Sequence, residues 1–316
     1  MMFLDTIKLT FNNSNILWKV FLYHFVCIIL LSGITLAVCY PLIVHLSGAG
    51  FFADALGITE ATMFNFKFDQ VLNVVCDVFV SFGTAISADL GTYLPYAIVA
   101  VCLIVLLGEF LFGLAELPTK ECLYGYMGSW SKLGFAGCFV KNLSKSVKYS
   151  LARLLVAVPF DIVLVAMMGG LLYVYNLGTM WSIFVPFLMV LAFLLVATLR
   201  TVLLGGWSCA IIVKGKGVFA GLKDGAHSYA KAFGKIFGVA LSLVLIAIAL
   251  NVLAVILTAS VGLIVTLPFC ILLIYTYNMV AYFYANGMRF YVEKNKIVTP
   301  IKIEDFESIK VLKNII

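Results

Sequence analysis

The sequence predicts an all-α protein, a polytopic transmembrane bundle of six helices. Hydrophobic residues make up 64% of the 316-residue chain and charged residues only 11%, with a mean hydropathy of +1.12. Soluble domains are about 45–50% apolar and about 25% charged, so a soluble globule is excluded. The apolar residues form continuous runs of membrane-spanning length. The basic residues collect in the segments between alternate runs, which is the pattern of a membrane protein.

Six apolar stretches are long enough to cross a bilayer, because a helix that rises 1.5 Å per residue needs ~20 residues for ~30 Å. Continuous runs are typical of helices, whereas a β-barrel needs short alternating strands. The tract 236–288 is too long for one span, so we predict a hairpin that turns near 258–262. The first stretch exceeds the roughly 7–15 apolar residues of a signal peptide, and we expect it to be retained. The predicted spans are about 20–44, 93–117, 151–175, 180–204, 236–257 and 263–288.

Basic residues set the predicted orientation. The segments 1–19, 116–153 and 214–235 carry lysine or arginine and share one side of a six-span arrangement with the C-terminal tail. The opposite side carries an outer loop, 45–92, with one lysine against five acidic residues. The positive-inside rule therefore predicts two cytoplasmic termini in a bacterial cytoplasmic membrane. The net charge of +6 is then a gradient across a bilayer and no indication of nucleic-acid binding. The predicted domains are a membrane domain, 1–288, and a cytoplasmic tail, 289–316.

Three outward spans begin with a similar phrase, in which one cation stands between apolar residues. Between the second and third copies the match extends upstream with a shift of 82 residues, which pairs Lys141 with Lys223 and Ser146 with Ser228. The pattern indicates a repeat of an amphipathic interfacial helix followed by a membrane helix. The alternative is that a snorkelling cation at any helix start produces the same phrase. The three phrases are 17–21, 151–155 and 233–237.

Residues 210–225, Ala-Ile-Ile-Val-Lys-Gly-Lys-Gly-Val-Phe-Ala-Gly-Leu-Lys-Asp-Gly, and 234–238, Gly-Lys-Ile-Phe-Gly, resemble a group of six-span bacterial membrane proteins. This group includes the membrane domain attached to glycerophosphoryl diester phosphodiesterases and its stand-alone relatives. The resemblance is clearest over about 205–250 and elsewhere concerns only the architecture. In those phosphodiesterases, catalysis belongs to a separate soluble domain with a histidine and metal-binding carboxylates. Only 28 residues follow Met288, so we expect no phosphodiesterase activity.

Ionisable side chains inside a membrane are costly and mark candidate functional positions. We single out Glu109, Asp161, Arg200 and His24, which the predicted spans place at similar depths near the basic side. In one interpretation, Glu109 and Asp161 form a cation or proton site with Arg200 as counter-ion. In the other, Glu109 pairs with Arg200, and a hydroxyl or water caps Asp161. We favour the second, because transporters usually add broken helices and a denser polar path. We expect His24 to be an interfacial histidine.

No catalytic or metal-binding pattern is recognisable in the sequence. The eight cysteines include no C-x-x-C pair, and the three histidines are far apart in the chain. Neither a phosphate-binding P-loop nor the G-x-S-x-G motif of serine hydrolases occurs. We therefore predict a protein without enzymatic activity and without a cofactor.

The leading functional prediction is a protein that organises the membrane, or binds anionic lipid or a protein partner, through its basic cytoplasmic segments. The alternative is a permease or transport accessory with a cytoplasm-facing polar site. Small residues at every fourth place from Ala226 to Ser242 leave a homo-oligomer open beside packing within the chain. The candidate lipid-headgroup contacts are Lys19, Lys141, Lys145, Lys148, Arg153, Lys223, Lys231 and Lys235.

Overall fold

A computed structural model of the chain describes residues 2–53, 56–57, 68–129, 134–177, 184–258 and 261–292. This part of the chain is helical and contains no strand. Six of its helical segments are long and apolar enough to cross a membrane. The predicted all-α bundle of six spans is therefore confirmed, and the protein is a multi-pass integral membrane protein.

The helices follow one another with short connections, and most are separated by one to five residues. They are, in chain order, α1 (Met2–Asn12), α2 (Ser14–Val38), α3 (Tyr40–Gly48), α4 (Phe68–Ala88), α5 (Leu90–Cys102), α6 (Gly108–Leu114), α7 (Glu116–Ser129), α8 (Phe135–Asn176), α9 (Val185–Val213), α10 (Val218–Ala230), α11 (Phe233–Thr258) and α12 (Leu263–Ala285), with a π-helical segment, Leu103–Leu107, between α5 and α6.

The spans match the predicted order, with displaced ends. The first begins at Ser14 and not at 20, and the second runs from Leu90 through α5, α6 and α7 to Gly128. The predicted hairpin is present, because α11 and α12 contact each other. The predicted start of the fourth span at 180, residues 259–260 of the hairpin turn and the tail beyond 292 lie outside the described residues.

α8 is longer than a membrane crossing requires. Its 42 residues correspond to about 63 Å at 1.5 Å per residue, twice the ~30 Å of the hydrocarbon core. The predicted span 151–175 is thus only the second half of this helix. The amphipathic segment predicted before that span is continuous with it and packs against α7, where Lys141 pairs with Glu121 at 2.6 Å.

The spans form three consecutive units. Each has one helix that leads away from the end of the bundle where α1 lies, called outward, and one that leads back to it, called inward. The inward helices are α5–α7, α9 and α12, and the outward ones are α2, the second half of α8, and α11. Each unit begins with helical structure at one end of the bundle, formed by α1, the first half of α8, and α10. We call this end the basic end. A shift of 82 residues carries the first residue of α8, Phe135, onto Gly217, the residue that precedes α10. The starts of these two helices are thus consistent with the repeat indicated by the sequence.

The three units close into a ring. The inward helices α7, α9 and α12 contact one another at the centre of the bundle. Each inward helix also contacts the helix that begins the next unit: α7 contacts α8, α9 contacts α10, and α12 contacts α1. The outward helices lie at the rim, where large apolar side chains are exposed to the surroundings, including Leu22, Ile29, Leu155, Val165, Leu245 and Leu257.

α10 crosses α9 with the two backbones in direct contact. A Cβ atom added to Gly225 would overlap the carbonyl group of Gly206 and would lie 2.6 Å from the backbone nitrogen of Trp207. The indole N–H of Trp207 donates to the carbonyl oxygen of Val218 at 2.6 Å, which fixes the start of α10 against α9. Only a glycine at 225 leaves room for this crossing.

The opposite end of the bundle contains helices where the sequence analysis placed the outer loop 45–92. α4 packs against α3 and α5. Leu42, Ala85 and Ala97 contribute buried apolar side chains from the three helices. The His45 Nε2 atom lies 2.9 Å from the carbonyl oxygen of Ala85, which ties α3 to α4. This small apolar cluster gives the opposite end a core of its own.

The Gly225→Ala variant is expected to be less stable than the natural chain, although alanine is a better helix former than glycine by about 1 kcal/mol. The added methyl group meets backbone atoms of α9, which move only if the two helices separate. The midpoint of thermal unfolding in detergent should fall by about 4 °C or more. Gly238→Ala on α11 is the matched control, because its Cβ atom meets nothing within 4 Å. Equal midpoints for the two variants would contradict the prediction.

Candidate functional site

Three of the four predicted intramembrane residues come together in the structure. Arg200 on α9 donates to Glu109 Oε1 on α6 at 2.5 Å, and its other terminal nitrogen lies 3.3 Å from Asp161 Oδ1 on α8. The pairing of Glu109 with Arg200, which the sequence analysis favoured, is therefore present. The expectation that a hydroxyl or water caps Asp161 is wrong, because Asp161 pairs with the same arginine. One guanidinium thus joins three helices.

His24 lies apart from this cluster. Its ring stacks on Phe112 with ring centroids 5.4 Å apart, and its Nδ1 atom lies 2.7 Å from the carbonyl oxygen of Val20. The side chain is buried between α2 and α6. These contacts place the ring in the packing between α2 and α6, and His24 takes no part in the ion pairs of Glu109 and Arg200.

The cluster continues towards the basic end through further charged residues. Arg153 on α8 lies 3.2 Å from Glu109 Oε2 and 3.7 Å from Glu116 Oε2. On α7, Glu116 accepts a hydrogen bond from Lys120 at 2.9 Å. Ser208 on α9 accepts from Lys120 at 2.5 Å and donates to Glu116 at 2.6 Å. We call the six connected ions the charge ladder: Asp161, Arg200, Glu109, Arg153, Glu116 and Lys120.

The charge ladder alternates in sign and contains three acids and three bases, so its formal charge is zero. It runs along the helix axes, since Arg153 and Asp161 are eight residues apart on α8, a rise of about 12 Å. The side-chain exposure increases along it, from 0% for Lys120 and 4% for Glu116 to 26% for Asp161 and 27% for Arg200. The ladder is therefore fully buried near the basic end and partly open deeper in the bundle.

Lys120 has the most enclosed charge in the ladder. Its ammonium nitrogen also lies 3.4 Å from the carbonyl oxygen of Gly205 and 5.5 Å from the ring centre of Tyr275 on α12. A Cβ atom on Gly205 would overlap the side chain of Asn278, so this glycine allows α12 to approach α9 here. The buried ammonium needs such partners, because an unpaired ion in the interior costs several kcal/mol.

Regular spacing within the helices could have indicated part of the ladder. Glu109 and Glu116 are seven residues apart, and Glu116 and Lys120 are four apart, so each pair shares a helix face. The predicted span ends at 117 and so leaves Lys120 among the loop residues, whereas the helix continues to Gly128. Ser208 has no comparable signal, since its role depends on which face of α9 meets α7.

Arg153 corrects another prediction. Its predicted position is at the lipid headgroups, but the structure places it inside the bundle with 14% of its side chain exposed. A Cβ atom on Gly113 would lie 3.0 Å from an Arg153 nitrogen and 2.7 Å from Ser150 Oγ, so the glycine makes room for the guanidinium. The cation at the start of the second unit is an internal partner of carboxylates.

The other predicted headgroup residues lie at or near the basic end, all of them in helices except Lys231, which directly follows α10. Lys141 pairs with Glu121 and remains 67% exposed, and the Lys235 ammonium lies 3.4 Å from the hydroxyl oxygen of Tyr284. Lys216, which the sequence analysis did not select, is exposed as well. Within the described ranges, no ion pair is formed by the exposed lysines Lys19, Lys145, Lys148, Lys216, Lys223 and Lys231.

Asp224 on α10 ties the basic end together. Its carboxylate accepts from the Lys214 ammonium at 2.8 and 3.1 Å and from the Tyr282 hydroxyl at 2.6 Å. Burial by itself would raise the pKa of Asp224, but the hydrogen bonds from Lys214 and Tyr282 outweigh it and lower the pKa below its ordinary value. Asn286 accepts from the same ammonium at 3.1 Å. α10 is thereby held to the end of α9 and to α12.

The charge ladder can hold helices together through its ion pairs. For the residues the structure describes, no group of three or more His, Cys, Asp and Glu side chains is arranged to hold a metal ion. Every carboxylate of the ladder has a basic partner within 3.7 Å. Paired carboxylates restrict the relative positions of α6, α7, α8 and α9, which is a structural role.

Comparison with known proteins gives no relative of this chain. No protein-family model, no curated protein and no solved structure matches it. The resemblance over about 205–250 therefore stays an expectation.

Glu116→Gln and Lys120→Met are each expected to destabilise the protein, and the double variant should recover part of the loss. Each single change leaves a buried charge without its partner, which costs about 3–5 kcal/mol. The double change removes both charges together. Unfolding titrations of the four proteins in mixed micelles give the coupling energy between the two sites.

The control for this cycle is Lys141→Met, because the pair of Lys141 with Glu121 is exposed on the lysine side. An exposed pair contributes no more than about 1 kcal/mol. Similar losses of unfolding free energy for Lys120→Met and Lys141→Met would contradict the prediction. They would show that the buried ion pair stabilises the protein no more than the exposed one.

Asp224 should make the stability of the basic end depend on pH. Because its pKa is lower in the folded chain, its contribution is complete above the ordinary aspartate pKa of about 3.9 and is lost as the pH falls below that value. The difference in unfolding free energy between the natural chain and Asp224→Asn should therefore shrink from pH 6 towards pH 3. Lys214→Gln should reduce the same pH dependence. A difference that stays constant over this range would refute the assignment.

Proposed function

We propose that the protein binds anionic phospholipids through its basic end and carries out no chemical step of its own. One observation carries the proposal: the basic end bears exposed lysines that have no acidic partner. Within the described part of the chain the charges of the ladder are paired, whereas these lysines form no ion pair. Anionic headgroups are the natural counter-ions for such a surface. The lysines are Lys145, Lys148, Lys216, Lys223 and Lys231.

Apolar side chains accompany these lysines. Val140 on α8 is 75% exposed and Phe219 on α10 is 72% exposed, as suits residues that dip into a bilayer interface. A lysine near an anionic membrane surface contributes about 1 kcal/mol. Several lysines at one end are enough to concentrate anionic lipid around the protein. The positive-inside rule further supports a basic end that faces the cytoplasm of a bacterial cell.

The charge ladder favours this function over transport. Glu109, Asp161 and Arg200 are bound to one another, and two grooves at the basic end are lined by other residues. A transport site would need these groups to exchange partners along a water path. Their mutual pairing supports a role in holding the helices that present the lysines.

The test uses the full chain in phosphatidylcholine vesicles that contain a trace of spin-labelled lipid. Electron paramagnetic resonance separates the lipid shell around the protein from the bulk lipid. We expect phosphatidylglycerol to be enriched severalfold over phosphatidylcholine in this shell. The enrichment should fall as salt rises from about 0.05 M to about 0.5 M, because salt screens exposed charges.

Replacement of the five lysines by glutamine should bring the shell close to the composition of the bulk lipid. Lys141→Gln is a matched single control for Lys145→Gln, because Lys141 is already bound to Glu121. Lys141→Gln should lower the phosphatidylglycerol enrichment of the lipid shell less than Lys145→Gln does. Equal association of the two spin-labelled lipids with the natural chain would contradict the proposed function.

A further inference from the structure

A groove of about 690 Å³ opens at the basic end between α8 and the junction of α9 with α10. Ligand pockets typically have roughly 300–1,000 Å³. Lys145, Lys148 and Lys216 line the groove together with Gly217, the residue that precedes α10. The lining includes no acidic side chain. Its apolar wall consists of Leu151, Ala152, Leu155, Ile211, Val218 and Phe219.

The cationic and apolar parts of the groove are ordered along α8. Lys148, Leu151 and Leu155 follow one another at intervals of three and four residues, so they share a helix face. The helix rises about 10 Å from Lys148 to Leu155, away from the basic end and into the span. Leu155 is 75% exposed, so this wall is open to the bilayer. Positive charge at the rim and an open apolar wall below it match the order of headgroup and acyl chain in a phospholipid.

The same position recurs in the other two units of the bundle. In the third unit a groove of about 480 Å³ lies between α11, the end of α12 and the start of α1. The 82-residue shift carries Ala152, which lines the groove of the second unit, onto Gly234, which lines the groove of the third unit. In the first unit, Tyr23 on α2 packs against Phe135 and Phe139 at the start of α8, with ring centroids 6.4 and 5.5 Å apart.

The three equivalent positions differ in charge and space. Aromatic rings occupy the position in the first unit. The groove of the third unit carries Lys235, whose ammonium is already near the Tyr284 hydroxyl. The groove of the second unit carries Lys145, Lys148 and Lys216, and none of them has an ion-pair partner among the described residues. The shared architecture forms a cleft at the membrane surface, and the residues of the second unit suit it to an anion.

We propose that the groove of the second unit holds one anionic phospholipid from the surrounding leaflet. Its phosphate lies against Lys145, Lys148 and Lys216, and one acyl chain lies along Leu151 and Leu155. The proposal rests on the proposed function and deepens it, because a groove retains a single lipid molecule whereas a charged surface only enriches the shell. A lipid fits better than a peptide or free phosphate, because the apolar wall continues into the membrane span.

Native mass spectrometry of the full chain tests the groove. The protein is released from nanodiscs that contain equal amounts of phosphatidylglycerol and phosphatidylcholine. We expect an adduct of one phosphatidylglycerol to be retained at least about fivefold more often than phosphatidylcholine. The Lys145→Gln/Lys148→Gln variant should lower this retention about thirtyfold, because two phosphate contacts of about 1 kcal/mol each are lost. Leu151→Trp should also lower it, because the ring fills the groove and leaves the lysines in place.

Lys223→Gln/Lys231→Gln is the matched control, because it removes the same charge from the basic end outside the groove. It should lower the lipid-shell enrichment and leave the retained adduct unchanged. If both double variants lose the adduct equally, or if Leu151→Trp keeps it, the groove is not the site although the proposed function stands. If the natural chain prefers phosphatidylglycerol in neither experiment, both proposals fail. Unchanged thermal midpoints identify variants that remain folded.

Discussion

The buried pair of Glu116 and Lys120 is the constraint on which the rest of the bundle depends. Both charges lie where an ion without a partner would cost several kcal/mol. Arg153 from α8 and Ser208 from α9 therefore have to stay within reach of α7. The same requirement for a nearby partner applies along the ladder as far as Arg200, because each charged group compensates the charge of its neighbour. A neutral chain of alternating ions restricts how the helices can slide or rotate against one another, and so favours a single packing arrangement.

In a bilayer, apolar contact between helices has little advantage over contact with lipid, so packing relies on small residues and on hydrogen bonds between helices. The centre of this bundle uses both. Gly225 brings the backbone of α10 onto α9. The hydroxyl of Tyr229 donates to the carbonyl oxygen of Asn278 at 2.8 Å, and that of Tyr277 donates to Ile236 at 2.7 Å. α12 thereby becomes the common partner of α10 and α11, while the rim helices keep their apolar faces for lipid.

Hydropathy and length are sufficient to predict the number and order of the spans, because lipid favours apolar side chains along the whole length of a span. They are not sufficient to predict where the helices end or which ions pair. A lysine normally marks the end of a span, but Lys120 lies inside a continuing helix, because Glu116 compensates its charge. The partners of Asp161 and Arg153 depend on which faces of α8 and α9 point inward, and spacing within one helix contains no such information. The ring closure by α1 on α12 likewise joins segments that are far apart in the chain.

The contrast between the ladder and the basic end connects the fold with its proposed function. Inside the bundle every cation of the ladder is matched by a carboxylate of the chain, and Lys141 shows that a surface lysine can be matched as well. Lys145 and Lys148, on the following turns of the same helix, have no such partner among the described residues. Under the proposed function, their counter-ions are lipid phosphates at the membrane surface. Under the proposed function, α8 combines two tasks, because Arg153 anchors the bundle from within and the lysines that precede it bind lipid phosphates.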